Sequence, residues 1–234
     1  MKKLLVVILL ILVVGLAIVA IGCSSSKYTI RKLSIDMVAE RPTWQVGDWW
    51  TYQVWRTGHR SYFYTLEVID TKAILPLGGE ECYKLVYRWY NSLPPAEEKG
   101  SFFEFYSKKT LEYLGKVGKD GLFVGPKVSQ YVMIFPLALG NKWSQKYYKA
   151  GLDQEKAKEI SVVYEVQGIE ELNGILKLQA LKIHRGYLVK GELDANYVNL
   201  WYCSEAKNFA KREARSFGNN PSWDIRDLVA YKVK

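Results

Sequence analysis

Ser61-Tyr62-Phe63-Tyr64-Thr65-Leu66-Glu67-Val68 and Tyr83-Lys84-Leu85-Val86-Tyr87-Arg88-Trp89-Tyr90 decide the fold class. Tyr62, Tyr64, Leu66 and Val68 form one alternating set in the first, and Tyr83, Leu85, Tyr87 and Trp89 in the second. Period two is the repeat of a strand with one buried face and one wetter face. The same reading extends outward along the chain. Its 17 Tyr and 8 Trp are residues that suit a pleated, half-buried surface. Turn signals fall between the runs, at Gly58-His59, Gly78-Gly79, Asp120-Gly121 and Asn173-Gly174. Asp-Gly and Asn-Gly accommodate the positive φ angles of two-residue hairpin turns. Leu93-Pro94-Pro95 and Asn219-Asn220-Pro221 mark longer loops. Hairpins without crossover helices predict an all-β antiparallel meander over residues 43–234, forming an open barrel or a two-lobed curved sheet.

Three segments need separate readings. Residues 27–42 are polar and end in Pro42, which predicts a linker or a loosely attached first strand. Residues 151–160 are charged and lack an apolar face, which predicts a long loop. Residues 204–215 carry helix formers behind Ser204, yet Lys211, Glu213 and Arg215 alternate with Arg212 and Ala214. The alternation predicts a turn followed by an edge strand.

A short internal repeat stands out. Thr43-Trp44-Gln45-Val46-Gly47-Asp48-Trp49-Trp50-Thr51 aligns with Pro136-Leu137-Ala138-Leu139-Gly140-Asn141-Lys142-Trp143-Ser144. Gly47 and Trp50 are thereby matched to Gly140 and Trp143. The Gly-Asp or Gly-Asn pair makes a tight turn that opens a strand. The Trp three residues past the Gly then places a large ring in the core, with its indole N–H donating to a backbone carbonyl near the same turn. Convergent use of one turn device and duplication of a β-meander both fit so short a match.

The first 23 residues set the address. Lys2 and Lys3 precede Leu4 to Gly22, a run without a charged residue, and Cys23 follows. The run is long enough to span a bilayer, and the lysines before it would stay cytoplasmic, placing the rest outside. Small residues and a cysteine at its end mark a cleaved secretory leader over 1–22. Ala20-Ile21-Gly22-Cys23 resembles the lipobox of bacterial lipoproteins. That resemblance implies cleavage between Gly22 and Cys23, and diacylglycerol on the Cys23 thiol. Two or three acyl chains then hold the protein to membrane lipid where one chain would not. Ser24, Ser25 and Ser26 open a tether over 23–42. The resemblance implies the outer membrane in a two-membrane cell, and the outer face of the cell membrane in a one-membrane cell.

Charge adds little to this picture. The chain carries 33 Lys+Arg and 24 Asp+Glu, a net charge of +9 that falls to +7 once the leader's two lysines are removed. The basic residues are scattered, and an extracytoplasmic address excludes nucleic acid as the partner. Cys82 and Cys203 remain as an even pair, which outside the cytoplasm forms a disulfide if the Cα atoms lie close enough, or packs as free thiols if not.

Beyond the leader, the chain resembles a broad group of functionally uncharacterised bacterial lipoproteins with a β-rich domain. These carry a Pro-Leu-x-Val-Gly-x-x-Trp-x-Tyr turn, matched by the two turns above. They also carry an apolar-Lys-Ile strand, matched by Asn173-Gly174 through Leu181-Lys182-Ile183. Leu200-Trp201-Tyr202-Cys203-Ser204-Glu205 and Ala210-Lys211-Arg212-Glu213 are similar to a third pattern near the end of such chains, with Cys203 where they have Ser. The resemblance implies a curved sheet or open barrel like those of periplasmic lipoprotein carriers and receptors, with no catalytic residues.

No reacting constellation emerges from the residues themselves. His59 sits in a hairpin tip and His184 in a strand beside Lys182 and Arg185, with no second ligand at metal spacing. Ser204-x-x-Lys207 lacks the companion motifs of penicillin-recognising enzymes. Glu80-Glu81, Glu97-Glu98 and Glu170-Glu171 are adjacent, so their side chains point to opposite faces of a strand. Phe102, Phe103, Phe105 and Tyr106, with Leu122, Phe123 and Val124, are apolar on both phases. Such a strand is covered on both sides or lines a groove for a hydrophobic ligand. The expectation is a non-enzymatic envelope lipoprotein without cofactor or metal, binding a hydrophobic or envelope ligand; the alternatives are an envelope scaffold that binds another protein, and a hydrolase whose site the sequence does not reveal.

Overall fold

The computed structural model describes residues 37–76, 78–125, 132–149, 158–189, 192–217 and 220–234. The leader 1–22, the lipidation and cleavage positions Gly22 and Cys23, and the tether as far as residue 36 lie outside the described residues, as do residues 151–157.

The described chain is all-β. Six strands follow the first turn: β1 (Trp49–Arg56), β2 (Tyr62–Ile74), β3 (Glu81–Tyr90), β4 (Glu98–Ser107), β5 (Tyr113–Val117) and β6 (Phe123–Val124). Six more follow the second: β7 (Lys142–Lys149), β8 (Lys158–Asn173), β9 (Lys177–Val189), β10 (Glu192–Cys203), β11 (Asn208–Ser216) and β12 (Ser222–Lys232). All pair antiparallel in one sheet, in the order β6-β5-β4-β3-β2-β1-β12-β11-β10-β9-β8-β7. The sheet is two six-strand meanders joined where β1 meets β12, with Val54 opposite Arg226. It does not close, because β6 and β7 pair on one side only among the described residues.

The sheet curls. Tyr106 and Tyr113 of β4 and β5 line one cavity with Leu200 and Phe209 of β10 and β11, six places away in strand order. Flat strands at about 4.8 Å spacing would hold those rings nearly 30 Å apart. Curling packs the inner face on itself, and a single cluster gathers Trp50, Val54, Val68, Leu85, Val162, Ile183 and Leu200. A small second cluster lies on the other side of the first meander, where Ala73, Cys82 and Phe105 are covered by Phe123. That cover settles the doubly apolar stretch. Phe102 and Tyr106 face inward, Phe105 is buried beneath β6, and Phe103 is exposed under the Lys84 ammonium, 4.4 Å from its ring centre. Gly115 makes the cover fit: at φ +143°, a Cβ there would sit 2.4 Å from the Phe123 ring.

Both repeated turns are built alike. Gly47 and Gly140 adopt φ of +90° and +82°. Each donates its N–H to a valine carbonyl on the next strand, Val68 and Val166, at 2.9 Å. Asp48 and Asn141 accept the return bonds from the same valines, also at 2.9 Å. The turns' own carbonyls are thereby engaged, and the indoles reach elsewhere. This corrects the expectation of a partner in the same turn. Trp50 Nε1 donates to the Ala206 carbonyl at 2.6 Å, 156 residues away, and Trp143 Nε1 to that of Val132 at 2.9 Å. A second correspondence is structural. The β4–β5 turn passes through Leu111 at φ 54°, and the β10–β11 turn through Lys207 at φ 53°. Phe105-Tyr106 and Trp201-Tyr202 precede these turns, and Tyr113 and Phe209 follow them.

Two further expectations change. β11 follows a turn at 204–207 as predicted, but it is an interior strand between β10 and β12. Its alternation places Ala210 in the core, with Arg212 paired opposite Leu200 and Arg226. Ordered contacts also begin before Thr43: Ala39 is buried and exchanges two 2.8 Å backbone bonds with Leu137.

Candidate functional site

The sequence candidates scatter over the sheet. Cys82 and Cys203 are buried free thiols in different clusters, so the pair considered for a disulfide is not joined. Burial raises both thiols above their ordinary pKa. His59 is exposed, and His184 Nδ1 lies 2.9 Å from Asn199 Oδ1. No group of three metal-ligating side chains occurs among the described residues. Ser204 and Lys207 belong to one tight turn. Of the adjacent acids, Glu80 and Glu81 hold Lys109 and Lys108 at 2.8 and 2.9 Å. Glu170 is less solvated than a strand end: it accepts Lys182 Nζ at 2.9 Å and Trp201 Nε1 at 2.7 Å.

What the curled inner face brings together is a set of cations and tyrosines. Cross-strand register lines up Tyr164, Arg185, Val198, Ala214, Asp224 and Arg56 in one row over β8, β9, β10, β11, β12 and β1. The next row carries Leu200, Arg212, Arg226 and Val54. Residues paired across strands share a face, so Asp224 meets three guanidiniums there. Arg56 donates to Asp224 Oδ2 at 2.9 and 2.6 Å, and Arg226 Nε to Oδ1 at 3.0 Å. Arg212 Nη1 also bonds Oδ1. Burial alone would raise the Asp224 carboxyl, but Arg226, Arg212 and Arg56 overcome it and hold the group at about 2.

Two cavities flank the cluster. The larger, about 440 Å3, opens at the strand ends and is lined by Arg56, Arg212, Asp224, Tyr187, Val198 and Ala214 among others. Its floor exists because Val198 and Ala214 are short side chains lying between Arg185 and Asp224 in their row. Arg185 is itself buried and donates to Tyr164 Oη at 3.1 Å and Tyr187 Oη at 2.6 Å. The smaller cavity, about 110 Å3, is lined mainly by rings, including Trp44, Tyr52, Tyr64, Tyr106 and Tyr113. Tyr52, Tyr64, Tyr87 and Phe102 stack successively across β1 to β4, with ring centres 5.0, 4.9 and 4.4 Å apart. Glu104 lies on the same face and accepts the Tyr106 hydroxyl at 2.6 Å. Burial raises its carboxyl to about 7, against the lowering effects of Tyr106 and Arg226. The ring-lined space is thus small, and the larger cavity mixes Arg56, Arg212 and Arg215 with Asp194 and Asp224 around apolar side chains.

Arg56, Arg185, Arg212, Arg226 and Asp224 were not singled out from the sequence. Arg212 and Arg226 read as charges on solvated strands. The one available signal was parity, since Arg212 shares its phase with Ala210 and Ala214, and Arg185 shares its phase with Leu181 and Ile183.

No protein-family model matches this chain. No curated protein matches it either. Among solved structures, the chain is similar to one described as a lipoprotein from Parabacteroides distasonis, at 13% identity and a TM-score of 0.43, covering 84% of this chain and 100% of that one. It is similar to an exported protein with a YmcC-like fold from Bacteroides fragilis, at 14% identity and a TM-score of 0.42 with the same coverage. It is also similar to the lipoprotein YmcC from Escherichia coli, at 10% identity and a TM-score of 0.40, covering 77% and 83%.

Proposed function

We propose that this chain is a cell-envelope lipoprotein, anchored through an acylated Cys23, whose open β-sheet is a non-enzymatic binding module. The anchor half of the reading rests on Ala20-Ile21-Gly22-Cys23 closing an uncharged run. The binding half rests on one observation: the large cavity is walled by three guanidiniums, two carboxylates, two tyrosines and Trp223 around Val198 and Ala214, a mixture of charged, aromatic and apolar recognition groups. The ligand is polar or amphipathic. A purely apolar cargo is poorly served by a ring-lined space of about 110 Å3, well below the few hundred Å3 of a typical small-molecule site. Capture of a protein by strand addition at the β7 edge is less favoured, because β7 carries Lys142 and Lys146, the charges that blunt an edge. Metabolic labelling with radioactive palmitate tests the anchor. The wild-type chain incorporates label and Cys23→Ser does not; equal labelling of the two would rule out acylation at this position.

A further inference from the structure

We infer that the cavity of about 440 Å3 at the open end of the inner face binds a neutral mono- or disaccharide, held by the hydroxyls of Tyr187, Ser216 and Ser222 above the Val198–Ala214 floor. The inference rests on the binding-module reading and names its ligand class.

Register places these groups. Val198 pairs with Arg185 and with Ala214, and Ala214 pairs with Asp224. Alternate residues of a strand share a face. Tyr187, Ser216 and Ser222 stand two positions beyond Arg185, Ala214 and Asp224 on their strands, so they form the next row toward the open end. Ser216 and Ser222 are themselves a cross-strand pair.

The charged groups of the wall are already engaged. Arg56 and Arg212 bond Asp224, and Arg215 bonds Glu213 at 2.7 Å. Asp194 accepts Asn196 from the side chain at 2.9 Å and from the backbone at 3.3 Å. The hydroxyls are what the wall still offers. Neither serine hydroxyl bonds a described residue, and Tyr187 Oη accepts from Arg185 at 2.6 Å while its own hydrogen meets no acceptor among the described residues.

A hydroxyl both donates and accepts. Each hydroxyl of a sugar does the same, so wall and ligand can satisfy one another in either sense. The face of a sugar ring is a patch of C–H bonds, which suits the Val198 and Ala214 side chains and Trp223, 37% exposed on the wall. An oxyanion offers acceptors alone and would meet Asp194 and Asp224, and an alkyl chain would leave the hydroxyls without partners. The space is within the range of small-molecule sites.

Saturation-transfer NMR on the full chain tests the site, in polyoxyethylene micelles that carry no sugar headgroup. The probes are glucose, galactose, N-acetylglucosamine, maltose and lactose, with benzoate as the anion control. At least one sugar should bind saturably, with a Kd of about 5 mM or tighter. Ala214→Leu, which fills the floor, should weaken it about tenfold. Replacing Ser216 and Ser222 together by Ala, at exposed positions, should weaken it about fivefold. The double serine variant decides if Ala214→Leu does not fold. No saturable sugar, or a double variant that binds the sugar unchanged, would overturn the inference. Benzoate saturating where no sugar does would overturn the saccharide and keep the binding module, whereas saturation by neither would overturn both.

Discussion

Asp224→Asn probes the arginine cluster with a nearly isosteric change. Native Asp224 is held at about 2 against an ordinary value of 3.8. At ~1.4 kcal/mol per pKa unit, the wild-type carboxylate contributes ~2.5 kcal/mol of stability near neutral pH. The side chain is only 14% exposed, so solvent screening takes little from that figure. A folded-state pKa below the unfolded one means the contribution is complete above about pH 4 and is lost as pH falls through about 2. Urea denaturation of wild type and Asp224→Asn, both monitored by tryptophan fluorescence, should show a gap of ~2.5 kcal/mol near pH 7. The gap should shrink to about 1 kcal/mol near pH 3. A gap that stays constant between these pH values would refute the argument, because a loss of shape or packing does not titrate.

The two matched tryptophans should differ in weight. Trp50→Phe strands the buried Ala206 carbonyl and should cost about 2–4 kcal/mol in chemical denaturation, whereas Trp143→Phe, at a half-buried site, should cost about 1–2 kcal/mol. Equal costs would contradict the deeper role given to Trp50. Glu104 has the opposite pH sign to Asp224: its raised pKa favours the protonated fold, so stability falls as pH rises from about 4.5 to about 7. Glu104→Gln should therefore gain about 3 kcal/mol near pH 8 and nothing near pH 4, and thermal melts at the two pH values decide it. Gly115→Ala forces a Cβ against Phe123 and should cost about 1–3 kcal/mol while loosening β6, read as faster amide exchange at Phe123 and Val124.

Much of the fold was legible because its signals are local. Tyr64 to Val68 alternate in sequence and in burial. Hairpin turns at Gly58 and Gly121 lie where the Gly-His and Asp-Gly pairs predict, both at positive φ. The repeat was legible at Gly47 and Gly140, where a turn needs φ that other residues rarely adopt. Long-range consequences were not. The closeness of Trp50 to Ala206 depends on how strongly the sheet curls, which no pair of neighbouring residues encodes. β11 was read as an edge because Lys211, Glu213 and Arg215 look solvated, yet Asp227, Ile225 and Trp223 of β12 pair with them. The cavity was least legible of all. Its floor is made by two short side chains, Val198 and Ala214, falling in register between Arg185 and Asp224, which are far apart in sequence. The proposed lipidation of Cys23 rests wholly on local sequence, Ala20 to Cys23.

The proposed tie between this β-sheet domain and a membrane surface is lipid on Cys23, and intact mass spectrometry of the chain purified from native membranes tests it. The mature protein should lack residues 1–22, begin at Cys23, and carry the added mass of a diacylglyceryl group with or without a further acyl chain. A mass matching an unmodified chain with residues 1–22 still attached would overturn the proposed anchor.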